Sequence, residues 1–167
     1  MNSTLAIALL FSAVTSGAPK APQPSLKTEL ESRFTTSIEK AKATLTCDTS
    51  WKETAGQAPT GSKYTVLQCV GSVNQMVVRG GQVFAMGHSL IAKTDERRAS
   101  ATYKLGIEEL KAAGCKALNP KGQMMLFECS NNFTVALLSN WDSKDNTRSV
   151  SALYGQSDQL LPMIGAR

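Results

Sequence analysis

The sequence predicts an α+β fold, a tandem repeat of a helix packed on a four-stranded antiparallel sheet with one disulfide per repeat. Three observations lead there. Four cysteines fall into two pairs, Cys47 with Cys69 and Cys115 with Cys129, and each pair follows a stretch of helical periodicity. The two helical stretches align when Leu30 is laid on Ala99, which also brings Phe34 onto Tyr103, Ile38 onto Ile107 and Ala41 onto Leu110. Each is then followed by short apolar or alternating runs separated by Gly, Pro and Asn, the pattern of strands and turns.

Residues 1–18 carry no charged side chain and hold the apolar run Leu5 to Phe11 before small residues, as a secretory signal peptide does. The run is shorter than the roughly 20 apolar residues a membrane-spanning helix needs. Residues 19–24 contain three prolines and read as an extended linker. The first repeat, residues 25–92, opens with Ser25 as a helix cap and an apolar stripe of Leu26, Leu30, Phe34, Ile38 and Ala41. Four strands are expected after it, Ala43 to Cys47, Lys63 to Cys69, Val73 to Arg79 and Gln82 to Ile91, with Gly80 and Gly81 as a turn. The segment Thr49 to Ser62 is expected to be a long loop.

The second repeat, residues 93–155, has its helix from about Thr94 to Gly114, with Asp95 and Glu96 in the first turn and Ala99, Tyr103, Ile107 and Leu110 on the buried face. Its strands are Cys115 to Leu118, Gln123 to Cys129, Phe133 to Leu138 and Ser149 to Tyr154. One conflict arises: a tight turn at Asn119 to Gly122 sets Cys115 opposite Leu126 rather than Cys129. The disulfide therefore needs a wider loop or a cysteine just outside the ladder. Residues 156–167 form a C-terminal tail whose Leu160, Leu161, Met163 and Ile164 could expose apolar surface.

Export and even cysteine number favour two structural disulfides, and hence a secreted or periplasmic location. Zinc is disfavoured, because the cysteine gaps are long and His88 is the only histidine; no metal and no cofactor is expected. The net charge of +5 is thinly spread, and Arg97 and Arg98, the adjacent basic pair, follow Asp95 and Glu96. No basic stripe with aromatics suggests a nucleic-acid partner.

No catalytic set emerges. His88 could serve as a general base, but no nucleophile motif accompanies it, and a structural role on its strand is the simpler reading. Asp48, Asp142 and Asp145 are carboxylates that sequence alone cannot pair, and Glu108 and Glu109 sit beside the apolar face of the second helix. Gln75 to Gly80 is similar to the Q-x-V-x-G loop of cystatins, yet Arg79 stands where its glycine belongs, so protease inhibition is not carried over. Trp51 and Trp141, each among polar residues in an expected loop, are candidate binding residues: either interface anchors or lids over their own sheets. The sequon Asn132, Phe133 and Thr134 would accept a glycan in a eukaryotic secretory pathway.

A helix and four strands, twice over, with a disulfide after each helix at Cys47–Cys69 and Cys115–Cys129, resembles the layout of the beta-lactamase inhibitory protein, a secreted inhibitor. The resemblance implies a framework able to bind protein; it transfers no contact residue. The expected function is a secreted or periplasmic non-enzymatic protein-binding module, such as an inhibitor of an extracellular or envelope enzyme, with a protein partner of unspecified identity. The alternatives are a small secreted hydrolase of cell-wall or polysaccharide material and an envelope structural or assembly factor. Non-reducing peptide mapping should recover Cys47 with Cys69 and Cys115 with Cys129; a crossed pairing would dismantle the repeat reading.

Overall fold

The computed structural model describes residues 24–121 and 124–166. The signal-peptide segment 1–18, and all of the linker but Pro24, lie outside the described residues. The first apolar stripe is cut in two. Helix α1 (Leu26–Arg33) is capped by the Ser25 hydroxyl, and α2 (Ile38–Leu45) by that of Ser37. Between them Phe34 turns extended, with φ −68° and ψ 136°, where the β-branched pair Thr35 and Thr36 disfavours continuing the helix. The break ties the helices to the sheet, since the Thr36 carbonyl accepts the Val83 backbone N–H at 2.9 Å. The stripe itself is a core face as expected: Leu26, Leu30 and Ala41 are buried, and Phe34 and Ile38 pack against them.

Helix α2 extends over residues expected to form a strand, so Ala43 to Cys47 is a helix end. The first strand is instead β1 (Trp51–Gln57), inside the expected loop Thr49 to Ser62. It is followed by β2 (Lys63–Cys69), β3 (Gln75–Arg79) and β4 (Gln82–Thr94). Helix α3 (Glu96–Ala112) is capped by Asp95, whose carboxylate accepts the Arg98 N–H at 2.9 Å. It ends where Gly114 takes φ 81°. The Gly114 N–H then reaches the Lys111 carbonyl and the Cys115 N–H reaches Leu110, a closure that needs the left-handed conformation glycine adopts without strain. The same turn delivers Cys115 to its partner.

Strands β5 (Lys116–Lys121), β6 (Met124–Cys129), β7 (Phe133–Asp142) and β8 (Thr147–Gln156) follow. The sulfur conflict resolves by both routes. Lys116 pairs with Glu128, a register shift between Leu118 and Lys121 widens the connection, and Cys115 sits one residue before β5. Both disulfides form, Cys47–Cys69 and Cys115–Cys129, and no described cysteine is free.

Two separate four-stranded sheets do not exist. All strands join one antiparallel sheet in the order β1-β2-β3-β4-β8-β7-β6-β5. The last strand of each meander meets the other, Met86 opposite Tyr154 and His88 opposite Ala152. Free edges on β4 and β8 would leave long rows of unpaired backbone groups beside an apolar run, Val83 to Met86, that needs cover on both faces. Pairing them supplies both. Helices α1, α2 and α3 lie over one face, on Met76, Met86, Phe127, Val135, Leu137 and Tyr154.

The other face receives a fourth helix. The expected tail forms α4 (Ser157–Met163), with Leu160 and Leu161 fully buried against Phe84, Ala85, Leu126, Ala136 and Leu153. Its leucines are core, and the exposed apolar tail expected of an assembly factor is absent. A register shift between Val77 and Val78 makes Phe84 and Ala85, neighbours in sequence, share this face. The start of α4 is tied down by Asn132, whose amide donates to the Asp158 carboxylate at 2.8 Å, and by a buried Thr134–Ser157 hydroxyl pair at 2.8 Å. The sequon residues Asn132 and Thr134 thus hold the C-terminal helix in place.

Backbone contact is closest at Gly155 on β8, where an added Cβ would overlap the Phe84 carbonyl oxygen and come within 2.7 Å of the Ala85 Cα. Neither is a flexible side chain, so the central strand pair would have to part. Gly155→Ala should lower unfolding stability by about 3 kcal/mol, measured by urea denaturation. An unchanged midpoint would show that the β4–β8 junction yields more easily than its geometry implies.

Candidate functional site

Along the face that carries α4, the two central strands bear small residues: Gly87 and Ser89 on β4, Ser149 and Ser151 on β8. Their neighbours across the ladder are longer. Gln75 stands opposite Gly87 and is itself paired with Gln68, while Leu138 stands opposite Ser151 and Asn140 opposite Ser149. Short side chains between long ones make a furrow along the strands, its walls carried by strands about 14 Å apart at ordinary strand spacing. The furrow comprises two connected hollows of about 400 and 210 Å³ that share Gln68 and Val73.

One end is blind, because Leu138 and Leu153 line the furrow and also pack against the α4 cluster. At the other, open end lie Ser72, Lys93, Asp142 and Arg148. There β4 is irregular: its register with β8 shifts twice between Ser89 and Thr94, and Lys93 has φ 39°. Lys93 reaches Asp145 at 3.3 Å, and Asp142 accepts the Lys144 N–H at 2.9 Å, so the mouth charges are partly matched. Amides and hydroxyls make up most of the polar lining. The Ser89 hydroxyl is buried with no partner in the protein, a state that typically costs about 1–3 kcal/mol.

The tryptophans are not in loops. Trp51 opens β1 opposite Cys69, half-buried against the core on the helix-bearing face. Trp141 lies on β7 opposite Arg148 and keeps 58% of its surface exposed. It borders a cleft of about 320 Å³ with Asp95, Glu96, Asn146 and Arg148. Because these groups include the first turn of α3, the cleft opens on the helix side, opposite the furrow. The two tryptophans do not share a site.

His88 is 9% exposed beneath α1, its ring set edge-on to Tyr154 at 5.5 Å between centroids. Neither the His88 Nδ1 nor the Tyr154 hydroxyl has a hydrogen-bond partner in the protein. Burial lowers the imidazole pKa below its ordinary value, the Arg33 guanidinium lowers it further, and Glu29 opposes them weakly. The same burial pushes the Tyr154 phenol up to about 12. No hydroxyl nucleophile or orienting carboxylate is hydrogen-bonded to this histidine's Nδ1, so the general-base arrangement is not assembled there. Among the acids, Glu109 accepts the Leu26 N–H at 3.0 Å and joins α1 to α3, whereas Asp142 ends β7 opposite Thr147 and Asp145 sits in the turn between β7 and β8. Among the described residues no group of three or more His, Cys, Asp or Glu side chains could hold a metal ion.

No family model, curated protein or solved structure matches the chain. The likeness of layout to the beta-lactamase inhibitory protein therefore transfers nothing, and function rests on the two surfaces above. Sequence reasoning singled out Trp141 but missed the furrow. Its signal was small residues at every second position of two distant strands, which becomes visible only once β4 is set against β8.

His88 also makes a measurable prediction. Its folded pKa lies below the unfolded one, near 6.5, so the unfolded chain binds the proton more readily. Stability is then full above about pH 6.5 and declines as pH falls from there toward the folded pKa. Thermal melts should drop between about pH 7 and pH 5, and His88→Met, which removes the chain's single histidine, should flatten that part of the curve. Parallel curves for both proteins would exclude His88 as the cause.

Proposed function

We propose that this protein is a non-enzymatic protein-binding module of a secreted or periplasmic compartment, acting as an inhibitor of an extracellular or envelope enzyme. The observation that carries the reading is the blind furrow on the α4 face. Its chemistry is that of a receptor: hydroxyls and amides that donate and accept, small residues that leave room, and walls carried by neighbouring strands, with Gly71, Ser72 and Val73 of the short β2–β3 connection at one side. A projecting loop of a partner fits a groove closed at one end better than a strand or helix that must pass through. His88, sealed beneath α1, lends the hydrolase alternative no support.

Two disulfides and a leader-like sequence segment, residues 1–18, support this reading of the compartment. No helix among the described residues is long and apolar enough to cross a membrane. We also infer that the chain arose by duplication of one helix-and-meander unit. Support comes from the strand order, in which β4 to β1 and β8 to β5 run outward from a shared centre, and from a disulfide leaving the end of the helical layer in each half.

Ser149 lies on the furrow floor, half-buried and pointing into open space. Ser149→Phe should fill the furrow with little effect on the melting temperature and weaken capture of the native partner at least tenfold, about 1.4 kcal/mol. The measurement is paired affinity capture from the native extracellular fraction with wild type and variant, followed by surface plasmon resonance on whatever differs. Equal capture by the two proteins would defeat the proposal.

A further inference from the structure

We propose a second binding site: the Trp141 cleft on the helix-bearing face takes a neutral oligosaccharide of pyranose units with equatorial substituents. An indole that keeps 58% of its surface exposed while fixed on a strand is a flat apolar wall with little entropy to lose on binding. Here it borders groups of opposite hydrogen-bonding sense: the carboxylates of Asp95 and Glu96 accept, the Arg148 guanidinium donates, and the Asn146 amide does both. That combination matches a pyranose with equatorial substituents, which offers an apolar C–H face to stack on the indole and a rim of hydroxyls to bond at its edge.

Charge argues for a neutral ligand. Arg148 reaches Glu96 at 3.2 Å and Arg98, from beside the cleft, reaches Asp95 at 3.6 Å, so each carboxylate already faces a guanidinium and offers an ionic ligand little unpaired charge. The same contacts hold the polar groups in place. Trp141 and Arg148 are paired across β7 and β8, and Arg148 bridges to the start of α3. Sheet and helix thus keep the indole and its polar neighbours in fixed relation without a ligand. The furrow opens on the opposite face and shares Arg148 at its mouth with this cleft, so a ligand on the indole leaves the furrow floor open, and this inference does not depend on the furrow's role.

The test uses the whole protein with Trp51→Phe, which leaves Trp141 as the only tryptophan. Cellotetraose and chitotetraose, each titrated while indole emission is followed, should give a saturable change for at least one, with a Kd of roughly 0.1–1 mM. By calorimetry Trp141→Ala should weaken that binding at least tenfold and Asn146→Ala about threefold, whereas Ser149→Phe should leave it unchanged. No change in emission with either sugar at about 10 mM, or a Trp141→Ala protein that binds within twofold of wild type, would overturn the site. Loss of protein-partner capture by Trp141→Ala, without sugar binding by the parent, would reassign the indole as a protein anchor and equally overturn it.

Discussion

Pairing of β4 with β8 is the constraint on which the rest of the molecule depends. Each strand is the last of a meander, and alone each would present an open edge. Joined, they become the centre of an eight-stranded sheet and the contact through which the chain's two halves share a core. The pairing is close because Gly155 has no Cβ to meet the backbone at Phe84 and Ala85. A similar economy appears at Gly106 on α3, where an added Cβ would lie 3.1 Å from Leu137 and 3.5 Å from Leu26. There a missing side chain lets helix, sheet and α1 meet at one point, and the Glu109 carboxylate holds the α1 backbone beside it.

The same strand pair has two unlike faces. Toward the helices it carries Met86, His88, Ala152 and Tyr154, which fill the core. Toward α4 it changes along its length, from Ala85 and Leu153 beneath the helix to Gly87, Ser89, Ser149 and Ser151 beyond it. Small polar residues on central strands forgo apolar burial of about 25 cal/mol per Å², and the Ser89 hydroxyl goes without a partner. Helix α4 compensates by sealing the apolar half with Leu160 and Leu161. The furrow ends where that helix begins, so its length is set by how far the C-terminal segment reaches.

Much of this was legible in the sequence wherever the determinant is local. The start of α3 is read near Thr94 and its stop at Gly114, within two residues of the helix that Asp95 caps; the apolar stripes name the buried helix faces; β2 is bounded at Lys63 and Cys69 in sequence and structure alike. The failures share a cause, since each depends on a partner distant in sequence. Phe34 leaves the helix because Thr36 bonds the strand at Val83. Trp51 and Trp141 lie on strands because β2 and β8 extend far enough to pair with them. The tail helix forms because a face of the joined sheet needed cover, and no pattern within residues 156–167 announces that face. Two sheets, one per repeat, would leave β4 and β8 with open edges, and only their pairing with each other removes them.

The disulfides take a different place in this arrangement from the one their spacing first suggests. Each runs from the end of the helical layer, Cys47 after α2 and Cys115 after α3, to the end of the second strand of its meander. They fasten the helices to the outer strands and leave the centre alone. The β4–β8 pair is held by its ladder, by core packing on the helix face and by α4 on the other. Both candidate surfaces draw on this central region, the furrow directly and the Trp141 cleft through the long β7–β8 arm. Covalent constraint thus sits one strand in from each edge of the sheet, and both surfaces available for recognition lie toward its uncross-linked centre.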